Sequence, residues 1–307
     1  MNQEADRELT LLAVLVVVPL TMFFGANAVA IRAGLPNIGV FYGAGLRFGL
    51  ASIVVIVWAI VTRRSLAITM KQFRQVSILA LIFVVQISLF YFGLSKSFAS
   101  RGTLIVNSQP FFVLVLAHFF IPGDRITLRR VTGIMLAFLG IVFVFWEEKG
   151  LAEGFRIGDI LILISAFMWG INAIYTKSII AGFKPYQIAL YPMILAVPFY
   201  FVEGLMWDGA MVITWNLTTL LSLGYQVLTA SVGFVIWNTL LQKYGAVSLH
   251  TFIFIIPVSG VLFGGLILGE PVTYKILIAL AFIAAGLLAI HLKQDRFPPI
   301  FPLSRNV

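Results

Sequence analysis

The chain has 307 residues, of which 61% are hydrophobic and only 11% are charged. A soluble domain carries about 25% charged residues, so the composition excludes an ordinary globule and predicts an all-α polytopic membrane protein. The net charge of +9 comes from short clusters between apolar runs, which argues against a nucleic-acid partner. Without cysteine, disulfides and thiol catalysis are excluded, and we expect neither a metal site nor a cofactor.

A helix needs about 20 mostly apolar residues to cross a bilayer. The first apolar run exceeds the roughly 7–15 residues of a signal-peptide core, so we expect it to be retained as a span. Short links containing Gly, Pro, Asn or charges separate the runs and make successive spans antiparallel neighbours. The ten predicted spans are residues 10–33, 38–62, 73–95, 100–121, 127–146, 157–181, 185–205, 216–242, 248–268 and 272–293.

Lys and Arg are unevenly distributed over the predicted loops. With the N-terminus in the cytoplasm, fourteen of these residues lie on the cytoplasmic side and six outside, while Arg47 alone falls within a span. Cytoplasmic loops carry the excess of Lys and Arg in membrane proteins. The distribution therefore predicts that both termini are cytoplasmic.

The first predicted span contains a motif that recurs 145 positions later. Residues 25–32 read Gly-Ala-Asn-Ala-Val-Ala-Ile-Arg, and residues 170–177 read Gly-Ile-Asn-Ala-Ile-Tyr-Thr-Lys. Further matches relate Pro110 to Pro257 and Lys96 to Lys243 at an offset of 147, and Gly140 to Gly286 at an offset of 146. We therefore predict a first five-helix repeat at 1–146, an extracytoplasmic linker at 147–156, and a second repeat with a short cytoplasmic tail at 157–307. An odd number of spans inverts the second repeat, which is a transporter architecture with a site between the halves.

These motifs resemble those of a known family. The Gly-x-Asn-Ala-x-x-x-Arg/Lys that opens each half, Leu46-Arg47-Phe48, and the segment Gly-Glu-Pro-Val-Thr at 269–273 are similar to the EamA-type branch of the drug/metabolite transporter superfamily. Within it, the overall register resembles bacterial amino-acid exporters. The resemblance implies a ten-helix carrier in the bacterial inner membrane. It also implies a central cavity lined by the first, third and fourth spans of each repeat, with alternating access by rocking of helix pairs.

Asn27 and Asn172 are amides within apolar spans. A buried amide needs hydrogen-bond partners, so each is expected to face the protein interior. Two interpretations stand: hydrogen bonding between helices, which membrane proteins commonly use, or direct contact with a substrate. The inversion places Asn27 in the outer half of its span and Asn172 in the inner half, which favours bracing of the bundle over joint binding of one ligand.

The richest polar cluster in a span is Asn107-Ser108-Gln109-Pro110. Proline removes a backbone donor and clashes with the preceding turn, so we expect helix kinks at Pro110 and at its counterpart Pro257. The second half keeps the proline but not the amides, which makes Asn107 and Gln109 the stronger candidates for substrate contact. Alternatively, these amides satisfy carbonyls that the kink frees.

Aromatic and polar side chains elsewhere complete the predicted cavity. Aromatic rings offer stacking surface to an apolar substrate side chain, although many membrane aromatics are interface anchors. Arg47 could extend to the surface, cap backbone carbonyls or attract a substrate carboxylate, with structural bracing the preferred interpretation. These further candidates are Tyr42, Tyr91, Trp169, Tyr191, Trp237, Asn238 and Arg47.

Together these features predict a secondary carrier of small neutral or zwitterionic metabolites, with amino acids, including aromatic ones, as the preferred class. Drugs and nucleosides are the alternative substrates, and a channel or a membrane-embedded enzyme is disfavoured because no catalytic constellation is apparent. Asp and Glu are expected only in loops and at span ends, so we predict either a facilitator or a carrier whose coupling uses something other than a buried carboxylate. A ten-helix unit with its own cavity can work as a monomer, in contact only with lipid and a small-molecule substrate.

Overall fold

The computed structural model describes residues 9–34, 37–96, 105–121, 126–145, 157–268 and 274–291. Across these ranges the chain is helical and contains no β-strand. Apolar sequence in a bilayer must satisfy its backbone hydrogen bonds within the segment, and a helix does so. The predicted all-α class is therefore confirmed for the described part of the chain.

Each of the ten predicted apolar runs contains at least one helix. Short 3₁₀ segments (Ile180–Gly182, Thr251–Phe254) and π segments (Gly204–Asp208, Thr229–Gly233) continue or join some of them. The helices are α1 (Leu11–Gly34), α2 (Val40–Val61), α3 (Met70–Ser95), α4 (Gln109–Phe120), α5 (Leu128–Phe145), α6 (Ile157–Ile179), α7 (Pro185–Glu203), α8 (Leu217–Leu228), α9 (Phe234–Lys243), α10 (Ala246–His250), α11 (Ile255–Leu268) and α12 (Tyr274–His291).

Five helical segments of the described chain are long and apolar enough to cross a bilayer, judged by length and composition. They are Val40–Val61, Met70–Gly93, Ile157–Gly182, Pro185–Asp208 and Leu217–Lys243. The fourth of these extends α7 through a π segment. Glu203 lies five residues before the end of this segment, so the expectation that acidic residues occur only in loops and at span ends stays a prediction at this position.

The fourth span of each half is interrupted just before its proline. In the first half, Asn107 and Ser108 form a turn and α4 begins at Gln109, so Pro110 occupies the first turn of the helix. In the second half, a 3₁₀ segment separates α10 from α11, and Pro257 again lies in the first turn. The predicted kinks are thus breaks, because proline fits the first turn of a helix, where its missing N–H costs nothing.

The contacts between the two halves are symmetric: each helix pair has a counterpart in which the corresponding helices of the two halves have changed places. Helix α3 packs on α6, and α1 packs on α8; likewise α4 packs on α6, and α1 packs on α11. Helix α2 packs on α7, and α5 packs on α12, each helix against its own counterpart. The centre of the bundle is consequently surrounded by elements of both halves.

Candidate functional site

A cavity of about 290 Å³ lies inside the bundle, with walls from both halves. Its lining includes eight of the residues singled out from the sequence. Polar and aromatic side chains face it together, which is typical of sites for small organic molecules. The eight residues are Asn27, Arg47, Tyr91, Gln109, Trp169, Asn172, Trp237 and Asn238.

Three other predicted residues do not line this cavity. Asn107 is buried in the turn before α4, whereas Gln109 two positions later does reach the cavity wall. The Tyr42 hydroxyl donates to the carbonyl of Gly209 at 2.8 Å, and the Tyr191 hydroxyl donates to the carbonyl of Leu66. Tyr42 therefore hydrogen-bonds to the backbone of the loop after α7, and Tyr191 to the backbone of the loop between α2 and α3.

Asn27 and Asn172 face the same cavity, although they lie on different helices of different halves. The Asn172 side-chain oxygen accepts a hydrogen bond from the Thr176 hydroxyl at 3.4 Å, one turn along α6. The side-chain oxygen of Asn27 is buried and has no hydrogen-bond partner in the described chain. Their position at one cavity leaves direct contact with a ligand open to both, which the inferred depths in the membrane had disfavoured.

Two more buried polar atoms on the cavity wall lack a hydrogen-bond partner among the described residues. They are Nε of Arg47 and Oε1 of Gln86, on side chains that are 6% and 1% exposed. Most buried polar atoms in proteins are hydrogen-bonded, so unsatisfied ones require an explanation. A cavity that presents one cationic donor and two amide acceptors can bind a polar molecule.

Aromatic rings cover much of the remaining wall. Trp237 contacts Phe24 at a centroid distance of 6.1 Å and His250 at 5.3 Å, and Trp169 contacts Phe90 at 5.4 Å. All five side chains line the cavity. Such surfaces suit an apolar or aromatic side chain, because pairs of rings gain about 0.5–1.5 kcal/mol beyond the burial of their area.

Several polar residues of this wall were not predicted from the sequence, among them Gln86, His250 and Thr229. Gln86 is an amide in the middle of a span, and the reasoning applied to Asn27 would have found it. His250 lies at the start of the predicted span 248–268, and it lines the cavity with its Nδ1 2.8 Å from the carbonyl oxygen of Ala246. Thr229 begins a π segment within the eighth predicted span, and no sequence signal marks that segment. π turns inside helices occur frequently at functional sites.

The described residues contain no group of three His, Cys, Asp or Glu side chains that could hold a metal ion. The cavity is lined by amides, one guanidinium and aromatic rings. It is suited to binding a small molecule by hydrogen bonds, charge and packing.

A bundle of apolar helices around an internal cavity of mixed polar and aromatic character is typical of a multi-pass membrane transporter. The sequence profile of the EamA-like transporter family matches residues 11–146 and again residues 156–292. The chain belongs to this family and contains two copies of its domain. Membership of a transporter family implies that the substrate is a small molecule.

Several curated proteins are similar over nearly the whole chain. A protein of Escherichia coli (strain K12) named "Probable amino-acid metabolite efflux pump" is 30% identical over 285 residues, covering 90% of this chain and 92% of that protein. Its namesake in Salmonella typhimurium is 29% identical with the same coverage. "Uncharacterized transporter YoaV" of Bacillus subtilis (strain 168) is 20% identical, covering 88% of this chain and 94% of its own.

A solved crystal structure has the same fold. It superposes with a TM-score of 0.78 at 15% sequence identity, over 90% of this chain and 96% of the other. At that identity the likeness concerns the fold alone.

Proposed function

We propose that the chain is a secondary carrier that moves small neutral or zwitterionic metabolites, above all amino acids, across the bacterial inner membrane. The observation that carries this proposal is the 290 Å³ cavity between the halves, with its amides, guanidinium and aromatic rings. Pockets for small molecules run from about 300 to 1,000 Å³, so this volume is suited to a metabolite of amino-acid size. The aromatic wall makes aromatic amino acids part of the expected range.

The relatives support the substrate class. Two proteins that are 30% and 29% identical to the chain carry the name "Probable amino-acid metabolite efflux pump". Both similarities extend over 90% of the chain and so include both domains. We therefore propose export as the direction of transport in the cell.

We also propose that the ten predicted spans form two inverted five-helix repeats that provide alternating access. The exchange of helix contacts between the halves supports this arrangement. Gly25 and Gly170, which correspond in the repeated motif, support it further: each lies where its helix meets the fourth span of the other half. Rocking of such paired elements would expose one central cavity to each side of the membrane in turn.

The membrane placement of the proposed carrier follows from charge and composition. The excess of Lys and Arg on one side supports cytoplasmic termini. We propose a monomeric unit without cofactor or nucleic-acid partner, with residues 1–146 and 157–307 as repeats and 147–156 as an extracytoplasmic linker. The linker, the first eight residues and the tail from 292 lie outside the described residues.

An exporter of drugs or nucleosides is the second candidate, because the aromatic wall would also bind such rings. A channel would need a continuous path, whereas the carrier needs the two-fold arrangement of contacts that the bundle has. An enzyme would need a reactive constellation in addition to the cavity. The carrier therefore accounts for more of the observed features.

The decisive experiment is uptake of a panel of radiolabelled amino acids into proteoliposomes that contain the purified chain. Saturable uptake that is accelerated by unlabelled substrate inside the vesicles is expected for a carrier. Empty liposomes provide the background, and a nucleoside and a cationic drug provide the alternative substrates. Failure of every amino acid to exceed the background would refute the substrate class, and conductance that does not saturate would indicate a channel.

A further inference from the structure

Arg47 is a cation inside a predicted membrane span. The surroundings of its side chain differ from those expected for a residue that only braces the helix bundle. It lies two turns into α2 and is 6% exposed, so the guanidinium does not extend to the surface. Within the described chain it donates to no backbone carbonyl, and its Nε has no hydrogen-bond partner. Two of the three roles considered for this residue, extension to the surface and capping of carbonyls, are thus not observed.

The neighbours of Arg47 neutralise its charge poorly. The guanidinium lies 4.9 Å from the centroid of the Phe48 ring, is hydrogen-bonded to the Tyr91 hydroxyl and lies near the hydroxyl of Tyr200. A ring and a neutral hydroxyl attract a cation weakly compared with a carboxylate. A buried charge without a counter-charge is costly in a protein interior. An anionic group that enters the cavity would therefore stabilise the buried charge of Arg47.

The same cavity wall carries two unsatisfied acceptors. The side-chain oxygens of Asn27 in α1 and Gln86 in α3 are buried and have no partner among the described residues. Amide oxygens accept hydrogen bonds from an ammonium group, which has three donors and no acceptor. A molecule with both a carboxylate and an ammonium group has an acceptor for Arg47 and donors for the two amide oxygens, all of which line the same cavity.

We infer that Arg47 binds the carboxylate of the transported molecule, while Asn27 and Gln86 accept hydrogen bonds from its ammonium group. The aromatic wall around Trp169 and Trp237 then receives the side chain. This inference rests on the proposed function and sharpens it, because it defines an α-amino carboxylate as the recognised unit. Arg47 is the specificity-determining residue of this subsite.

Charge makes the carboxylate the more important of the two groups. The described residues of the wall include a guanidinium and no Asp or Glu. An amine that lacks a carboxylate would place a second cation beside Arg47, whereas an acid that lacks the amino group would still form the ion pair. We expect charge-assisted pairing of a guanidinium with a carboxylate to dominate the discrimination.

The test compares three ligands on the intact carrier in proteoliposomes: L-phenylalanine, L-phenylalaninamide and 3-phenylpropionate. Inhibition of labelled L-phenylalanine counterflow gives an apparent affinity for each ligand. We expect the amide to bind at least about tenfold more weakly than the amino acid. The affinity of 3-phenylpropionate should be reduced by a smaller factor than that of the amide. Equal inhibition by amide and amino acid would overturn the inference while leaving the proposed function intact.

The variant Arg47→Gln tests the residue itself. It should lose the preference for L-phenylalanine over the amide, and Arg47→Lys should retain part of it. The control is Arg64→Gln, because Arg64 is exposed in the loop after α2. If Arg47 only braces the bundle, Arg47→Gln will reduce the apparent affinities for L-phenylalanine and its amide by the same factor. That result would overturn the inference.

Two further outcomes of these experiments each have one interpretation. If Arg47→Gln does not fold, as judged by size-exclusion chromatography, the comparison of ligands on the wild-type carrier decides alone. If the wild-type carrier transports no amino acid, the proposed function fails and the inference fails with it.

Discussion

Gly25 of α1 lies directly against Ile256 of α11: a Cβ atom added at Gly25 would come within 2.6 Å of the Ile256 carbonyl oxygen. At the corresponding place in the other half, a Cβ added at Gly170 would lie 2.9 Å from the Cβ of Phe112. Small residues allow helices to approach closely in membranes, where such packing drives association. The glycine of the repeated motif is therefore needed at both helix crossings.

Replacement of this glycine should separate α1 from α11. We expect Gly25→Ala to destabilise the protein by about 1–3 kcal/mol, the usual cost of overpacking. Thermal unfolding in detergent, followed by tryptophan fluorescence, measures the change. Gly224→Ala is the control, since a Cβ there would meet no atom within 4 Å and alanine is the better helix former. Equal stability of the two variants would contradict the proposed crossing.

Asp208 connects the ends of two spans. Its Oδ2 accepts hydrogen bonds from the backbone N–H groups of Phe41 at 2.7 Å and Tyr42 at 3.0 Å, in the first turn of α2. Those N–H groups have no partner within their own helix. We expect Asp208→Ala to cost about 1–3 kcal/mol of stability, and Asp208→Asn to cost less because an acceptor oxygen remains. Thermal unfolding of both variants tests this order, and its reversal would contradict the capping role.

Lys177 caps the end of α9. Its Nζ donates to the carbonyls of Leu241 at 2.7 Å and Tyr244 at 2.5 Å, where a cation also complements the helix dipole. Lys177→Gln should therefore destabilise the protein by about 1–3 kcal/mol. Lys184→Gln is the control, because Lys184 is exposed at the start of α7. If both variants unfold at the same temperature as the wild type, the capping contributes nothing.

Trp237 should contribute to the binding of aromatic substrates. It lies between Phe24 and His250 on the cavity wall. We expect Trp237→Leu to raise the apparent KM for L-phenylalanine up to about tenfold and to change that for L-alanine much less, because ring contacts are worth about 0.5–1.5 kcal/mol. Counterflow with both substrates measures the difference. Trp215→Leu, at a position that is 59% exposed, should change neither value.

Glu203 tests whether transport is coupled to protons. One of its carboxylate oxygens accepts a hydrogen bond from the Ser88 hydroxyl at 2.6 Å, and the residue does not line the cavity. Because substrate does not meet this carboxylate directly, we expect amino-acid flux to proceed without a pH gradient and Glu203→Gln to preserve it. Measurement of amino-acid flux into proteoliposomes, with and without an imposed pH gradient, tests this expectation. Strict dependence on the gradient that disappears in Glu203→Gln would make Glu203 the coupling group.

The sequence predicted the helices well because apolar length directly reflects the thickness of a bilayer. It predicted the cavity less completely, since hydropathy gives the depth of a residue along a helix but not the direction that its side chain takes. Tyr42 and Tyr191 look equivalent to Tyr91 in sequence, yet their hydroxyls bind loop carbonyls, whereas Tyr91 lines the cavity. Similarly, the π segment that begins at Thr229 depends on tertiary packing and has no signature in composition.

The interruptions before Pro110 and Pro257 have a mechanical consequence. A continuous helix resists bending because its backbone hydrogen bonds must lengthen or break, but each of these segments is already interrupted just before its proline. We therefore expect the predicted fourth span of each half to bend most easily at this interruption, which lies beside the cavity, next to Gln109 and Ile256. A stiff bundle with two soft points can change the shape of its interior while the helices themselves stay intact.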